Sequence, residues 1–119
     1  MGLIDERKVR KLLTEDDLEA IAEEDHEFLN SKGVACFGKG EFEKARAFYE
    51  LATTFGDKDA PTNLGYMYLY GKGAQMDYSL ALAFFQIGAS KGSVDAHYKL
   101  GDIYHHGKGV EQDTDKALE

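Results

Sequence analysis

The sequence predicts an all-α protein assembled as a solenoid of two-helix units. Three observations carry that prediction. Displaced by 36 residues, the chain falls on itself: Ala60, Leu64, Gly65, Tyr68, Gly71, Lys72, Gly73, Asp77, Ala81 and Leu82 meet Ala96, Leu100, Gly101, Tyr104, Gly107, Lys108, Gly109, Asp113, Ala117 and Leu118. Ala45, Phe48, Tyr49 and Ala52 stand at i, i+3, i+4 and i+7, one buried helical stripe, and the same displacement carries them onto Ala81, Phe84, Phe85 and Gly88. Gly56 and Gly92 align where a helix must end in the left-handed conformation, and Asp57 and Ser93 follow, each able to cap the next helix.

The elements run in order. Residues 4–13 suit a short helix, acidic at Asp5 and Glu6 and basic from Arg7 to Lys11, in the sense the helix dipole favours. Its small apolar stripe reads as packed or frayed, with a partner-binding arm as the alternative. Thr14 opens a second helix, and Asp17 can return the bond in a capping box. Leu18, Ile21, Ala22, Phe28 and Leu29 continue at helical spacing. Eight carboxylates and no Lys or Arg occur from Glu15 to Glu27, a solvated face or a dock for a basic peptide. The expected units are 1–24, an N-terminal helical segment; 25–56, a helix pair; 57–92, a full repeat; and 93–119, a second, incomplete repeat. Pro61 sits early in its helix, where a missing N–H costs little. From Gly33 to Ala45 is 12 residues and from Gly65 to Ala81 is 16, so one interhelix link is shorter than the other.

Gly33, Gly65 and Gly101 lie inside helical patterns, each costing about 1 kcal/mol of propensity against alanine. Close approach of the paired helix explains them, with Ala45, Ala81 and Ala117 as small partners and Tyr49 and Phe85 filling the space beside. In the last repeat Leu100, Ile103 and Tyr104 lack most of a covering helix, so either the natural chain continues or another copy covers that face; self-association through the C-terminal unit, or a frayed end, is expected.

Bulk properties narrow the function. At 119 residues and 43% hydrophobic, the chain suits one folded domain. A net charge of −8 argues against nucleic-acid backbones and anionic membranes as partners, and favours a neutral or basic one. Cys36 is alone, so no internal disulfide forms. No apolar run reaches the roughly 18 residues of a spanning helix. Met1-Gly2 resembles a myristoylation start, but Glu6 stands where Ser or Thr is needed. A cytoplasmic protein is expected.

Leu64, Gly65, Tyr68, Gly71, Gly73, Asp77, Ala81, Phe85, Gly88, Ala89 and Gly92, echoed in Leu100, Gly101, Tyr104, Gly107, Gly109, Asp113 and Ala117, form a motif that resembles the Sel-one-like repeat, a branch of the tetratricopeptide superfamily. Residues 25–56, with Gly33, Ala45, Tyr49 and Ala52, look more like an ordinary tetratricopeptide repeat, although Cys36 replaces a large aromatic. The resemblance implies a right-handed α–α superhelix of antiparallel helix pairs whose first helices line a concave, peptide-binding face. By the family's spacing that face would carry Glu27, Asn30, Val34, Phe37, Thr62, Tyr66, Leu69, Tyr98, Asp102 and His105. Asn30, Thr62, Tyr66, Tyr98, Asp102 and His105 are the expected protein-binding set, with a groove running from Tyr66 to Tyr98.

Other chemistry finds little footing. Gly38-Lys39-Gly40, Gly71-Lys72-Gly73 and Gly107-Lys108-Gly109 lack the order and the preceding strand of a phosphate loop, and read as interhelix turns. His97, His105, His106 and Asp102 share one helix, but only two fall together where a structural metal wants four. Cys36 has no activating neighbour at helical spacing except Lys32 and reads as a buried thiol. No metal, cofactor or catalytic set is expected. The expected function is a non-enzymatic scaffold for a protein or peptide, with a self-associating structural module as the rival.

Overall fold

The structure is a computed structural model and describes residues 13–106. Among these, six helices occur and no strand: α1 Glu15–Ala22, α2 His26–Gly38, α3 Phe42–Thr54, α4 Ala60–Tyr70, α5 Tyr78–Ser90 and α6 Val94–His106. α2 packs on α3 and α4 on α5, and short turns make each couple antiparallel. α3 leans on α4, α5 on α6, and α1 on α2. The molecule measures 48 × 29 × 26 Å, the elongated outline of units that touch only their neighbours. The all-α repeat solenoid is therefore as the periodicity predicts. The residue 4–13 helix lies almost wholly outside the described residues, as do Gly107-Lys108-Gly109 and Ala117.

One device ends each unit and starts the next. The Asp57 N–H reaches back to the Ala52 carbonyl at 3.0 Å around Gly56, whose φ is 92°. The Ser93 N–H does the same to Gly88 at 2.9 Å around Gly92, φ 96°. This six-residue closure needs a left-handed residue, which glycine adopts without the penalty a Cβ incurs. Asp57 and Ser93 then open the following helices. Asp57 Oδ1 accepts from the Asp59 and Ala60 N–H groups at 2.8 and 2.9 Å, and Ser93 Oγ accepts from the Ala96 N–H at 3.2 Å.

The N-terminal stripe is shared by two helices. The capping box of Thr14 and Asp17 forms, with bonds of 2.9 and 3.1 Å. The helix stops at Ala22, and Phe28 and Leu29 of the same stripe belong to α2. Here the Asp25 N–H closes on the Ala20 carbonyl at 2.8 Å around Glu24, φ 54°, and the Asp25 carboxylate accepts from the Phe28 N–H to begin α2. The same closure that Gly56 and Gly92 make is made by a glutamate, so no glycine marks it in the sequence. α1 stands to α2 as α3 stands to α4. Its Asp17 is buried, with Lys32 Nζ at 3.6 Å, an ion pair too long for a hydrogen bond.

The core runs along the stack in two successive clusters. Leu29, Ala45, Phe48, Tyr49, Ala52, Leu64 and Met67 belong to the first; Leu69, Ala81, Phe85, Ala96 and Ile103 belong to the second. The helix glycines are sites of close approach, but the partner differs from expectation. A Cβ on Gly33 would lie 2.5 Å from Tyr49 Cε1, and one on Gly65 would lie 2.7 Å from Phe85 Cε1. Ala45 and Ala81 are fully buried too, yet it is the aromatic rings that lie on the glycines. A flat ring fills the space a missing side chain leaves better than a methyl does.

Candidate functional site

Helices α2, α4 and α6 are the first members of their units and share a register set by Gly33, Gly65 and Gly101. Three residues before each glycine stand Asn30, Thr62 and Tyr98; one residue after stand Val34, Tyr66 and Asp102. At helical spacing these positions mark one side of the three helices.

Polar contacts tie these helices into a continuous surface. Asn63 Nδ2 donates to Asn30 Oδ1 at 3.0 Å, joining α4 to α2. His26 Nδ1 donates to Asp57 Oδ2 at 2.8 Å, tying the start of α2 to the turn before α4; the carboxylate can only accept, so Nδ1 carries the hydrogen. Between α4 and α6 the junction is aromatic and charged. Tyr66 and Tyr70 stack with centroids 6.3 Å apart and planes within 5°. Lys99 Nζ lies 5.8 and 5.5 Å from those two ring centres, donates to Tyr70 Oη at 3.1 Å and pairs with Asp102 Oδ2 at 3.4 Å. Tyr66 also meets Phe85 edge to face at 5.2 Å, which ties the surface to the core beneath.

The electrostatics of this cluster follow from its contacts. Burial, aided by the Asp95 carboxylate, raises the Tyr66 phenol, while the Lys99 ammonium pulls the other way. The hydrogen bond to Tyr70 raises the Lys99 ammonium against the pull of burial, with Asp102 adding to it. Both shifts keep the phenol neutral and the ammonium charged near neutral pH. The cluster thus presents two ring faces, phenol and amide groups, one cation and one carboxylate. That mixture suits polypeptide recognition, because rings take apolar or cationic side chains and the polar groups take backbone amides.

The expected site residues divide by environment. Asn30, Tyr66 and Asp102 are half-buried members of the surface. Thr62 is the exception: it is 3% exposed, and its hydroxyl donates to Ser93 Oγ at 2.9 Å inside the seam between units. Leu69 is likewise a core residue. Tyr98 is 80% exposed, although its counterparts Asn30 and Thr62 both bond into the following unit. His105 is exposed, as are Glu27, Val34 and Phe37; Phe37 meets Phe42 edge to face at 4.9 Å, and Lys72 lies over the Phe42 ring. Sequence reasoning missed Asn63, Tyr70 and Lys99. The signal was present: Asn63 and Lys99 are 36 apart, and Tyr70 is one turn beyond Tyr66. Cys36 is a buried thiol, and among the described residues no three His, Cys, Asp or Glu side chains come together to hold a metal ion.

The sequence profile of the Sel1 repeat matches residues 59–93 and 94–119. The crystal structure of a Sel1 repeat protein from Oxalobacter formigenes is similar to this one, at 30% identity and a TM-score of 0.76, over 83% of this chain and 42% of that chain. The present chain therefore spans less than half the length of that neighbour. No curated protein matches the sequence. Among the described residues no helix is long and apolar enough to cross a membrane.

Proposed function

The chain belongs to the Sel1 repeat family, and from that premise we propose that it is a non-catalytic scaffold binding a neutral or basic protein segment across the first-helix face of α2, α4 and α6. Sel1 repeat proteins generally serve as protein-interaction scaffolds. The observation that carries the reading is the Tyr66–Tyr70–Lys99–Asp102 cluster bridging α4 and α6. Tyr70 is 56% exposed although it is large and ring-stacked, and aromatic side chains held rigid yet open to solvent dominate the energetics of many interfaces. Asn30, Asn63, Asp102 and His105 extend the surface with groups able to bond a polypeptide backbone. Charge supports a neutral or basic partner, since the chain carries −8.

The test is binding of an identified partner segment by the Tyr66→Ala, Tyr70→Ala double variant. Affinity falls about 100-fold if each ring is an anchor; because Tyr66 also braces the buried Phe85 ring, the single variant Tyr70→Ala, at a residue 56% exposed, is measured beside it as the one that spares the core. Unchanged affinity refutes the assignment. A second reading rests on Tyr98 and Val94, 80% and 68% exposed on α6. There another helix pair would dock, which makes the protein a self-associating module. Molecular mass by light scattering that rises with concentration, and reverts in a Tyr98→Glu variant, supports it; a constant monomer with strong amide protection of residues 94–106 opposes it.

A further inference from the structure

The two edges of the stack differ in character. At one edge the first helix of a pair gives way to the second, through the turns at residues 39–41 and 71–77; at the other, second helices give way to first ones, at residues 23–25, 55–59 and 91–93. The second edge is acidic: residues 23–27, 55–59 and 91–95 hold seven carboxylates against Lys58 and Lys91, a balance of −5. The first edge is neutral: residues 37–44 and 70–80 hold Lys39, Lys44 and Lys72 against Glu41, Glu43 and Asp77. It is also where Phe37, Tyr70, Met76 and Tyr78 face water. Their neighbours join them into one surface. Phe37 meets Phe42 edge to face at 4.9 Å, and Lys72 Nζ lies 5.4 Å from the Phe42 ring centre. A Cβ on Gly73 would stand 2.7 Å from the Phe42 carbonyl oxygen, so the 71–77 turn sits on the start of α3. A Cβ on Gly71 would stand 3.5 Å from Met76 Cβ, which brings Met76 back to the end of α4 beside Tyr70. Phe, Tyr and Met gathered in the open without net charge have the composition of an interface core, and a methionine thioether adapts to what it meets.

We propose that a second copy of the chain docks on this neutral edge, edge against edge about a two-fold axis. A two-fold contact sets one patch against itself, so the patch must not repel itself. Equal numbers of lysines and carboxylates meet that condition, and each lysine has carboxylates to face on the other copy. For a chain that carries −8, the acidic edge cannot play this part. Charge also fixes the orientation. When neutral edges meet, the acidic edges point outward, a helix length away. Helices α2, α3 and α5 have 13 residues each, about 20 Å, against a screening length of about 8 Å at physiological salt. The repulsion between two acidic chains therefore scarcely reaches the contact. A strongly charged foreign partner gains nothing from a surface without a field, whereas a second copy loses nothing. Apart from Tyr70, which both share, the contact leaves the first-helix face of each copy open. The pair then presents that face twice, and a partner with two binding segments engages the second one intramolecularly.

The experiment is sedimentation velocity of the full chain over about a hundredfold range of concentration. Wild type moves from one chain to two and no further, since a two-fold contact closes on itself. Met76→Asp, on an exposed turn, and the pair Met76→Asp, Tyr78→Asp each raise the dissociation constant at least tenfold. Their thermal melts stay at the wild-type temperature, because both side chains are exposed. Lys39→Glu tips the edge to −2 in each copy and weakens the dimer about fivefold at low salt, with recovery at high salt. Tyr98→Glu leaves the dimer intact. A dimer that survives Met76→Asp, Tyr78→Asp overturns the inference, and one lost in Tyr98→Glu instead assigns association to the Val94–Tyr98 surface. A chain that stays monomeric at every concentration overturns the second copy and leaves the edge to a foreign apolar partner.

Discussion

Replacing Gly65 with alanine sets two effects of opposite sign against each other, and the structure says which wins. Alanine is the better helix former by about 1 kcal/mol, and on an exposed turn Gly65→Ala would stabilise. Here the new methyl would lie 2.7, 2.8 and 2.9 Å from Cε1, Cδ1 and Cζ of Phe85, against an optimum of about 3.5–4.0 Å between carbons. The ring must retreat by nearly an ångström. It has nowhere to go, being fully buried and braced edge-on by Tyr66 at 5.2 Å. Overpacking of this kind costs about 3 kcal/mol at the upper end of its usual range, so the net loss is about 2 kcal/mol and the melting point falls by roughly 10 °C. Urea denaturation of Gly65→Ala, Phe85→Leu and the pair makes the test a double-mutant cycle. With the ring gone, Gly65→Ala becomes stabilising by about 1 kcal/mol. A Gly65→Ala protein more stable than wild type, or a coupling near zero, refutes the close-approach argument for the helix glycines.

Other consequences are open to measurement. Glu24→Gly relieves a left-handed glutamate at φ 54°, and raises stability to urea by about 1 kcal/mol; a loss means Glu24 makes some other contribution. Ser93→Ala removes both the cap on Ala96 and the acceptor for Thr62 in a buried seam, and costs about 2 kcal/mol by thermal melting. Burial first, and the nearby Cys36 thiol second, push the Tyr49 phenol up to about 12 from 10.0. The folded pKa is raised, so this contribution is whole below pH 10 and is lost as pH climbs towards 12, because the unfolded tyrosine ionises first. Tyr49→Phe therefore flattens the alkaline limb of the stability curve by roughly 3 kcal/mol between those values, and an unaltered limb in urea titrations rules the burial argument out.

Much of the fold is legible because its determinants repeat. Gly56 and Gly92, Asp57 and Ser93, and the stripe from Ala45 to Ala52 with its copy are local signals, and each forms the element its residue type favours. The turn at residues 23–25 carries no glycine: Glu24 performs a glycine's task, and the helical spacing from Leu18 to Leu29 runs on across it. The partner of each helix glycine escapes for another reason. Spacing shows that Gly65 faces α5 but not whether Ala81 or Phe85 meets it, since both lie on the buried stripe one turn apart. For the candidate surface, Asn30, Tyr66 and Asp102 follow from helical phase alone. Thr62 does not, because its burial depends on Ser93 in the next unit. Tyr98 shares the phase of Asn30 and Thr62 yet is exposed, a difference that phase does not report. Asn63 and Lys99 stand at the repeat offset and Tyr70 one turn beyond Tyr66, so their positions are legible, but their contacts are relations between helices, which a single helix's periodicity does not encode.

Asp57 joins three structures at once: its N–H closes α3, its Oδ1 opens α4, and its Oδ2 holds α2 through His26. Ser93 stands at the matching boundary 36 residues on, closing α5 and opening α6 while accepting from Thr62. The coupling hardware of each module is thus packaged at its own first residue. A gene that copies codons 57–92 in tandem delivers the terminator, the initiator and the latch together, and the inserted module meets familiar chemistry at both joints. Lengthening or shortening such an array requires no invention at the splice, so selection is left to act on the side chains the array displays.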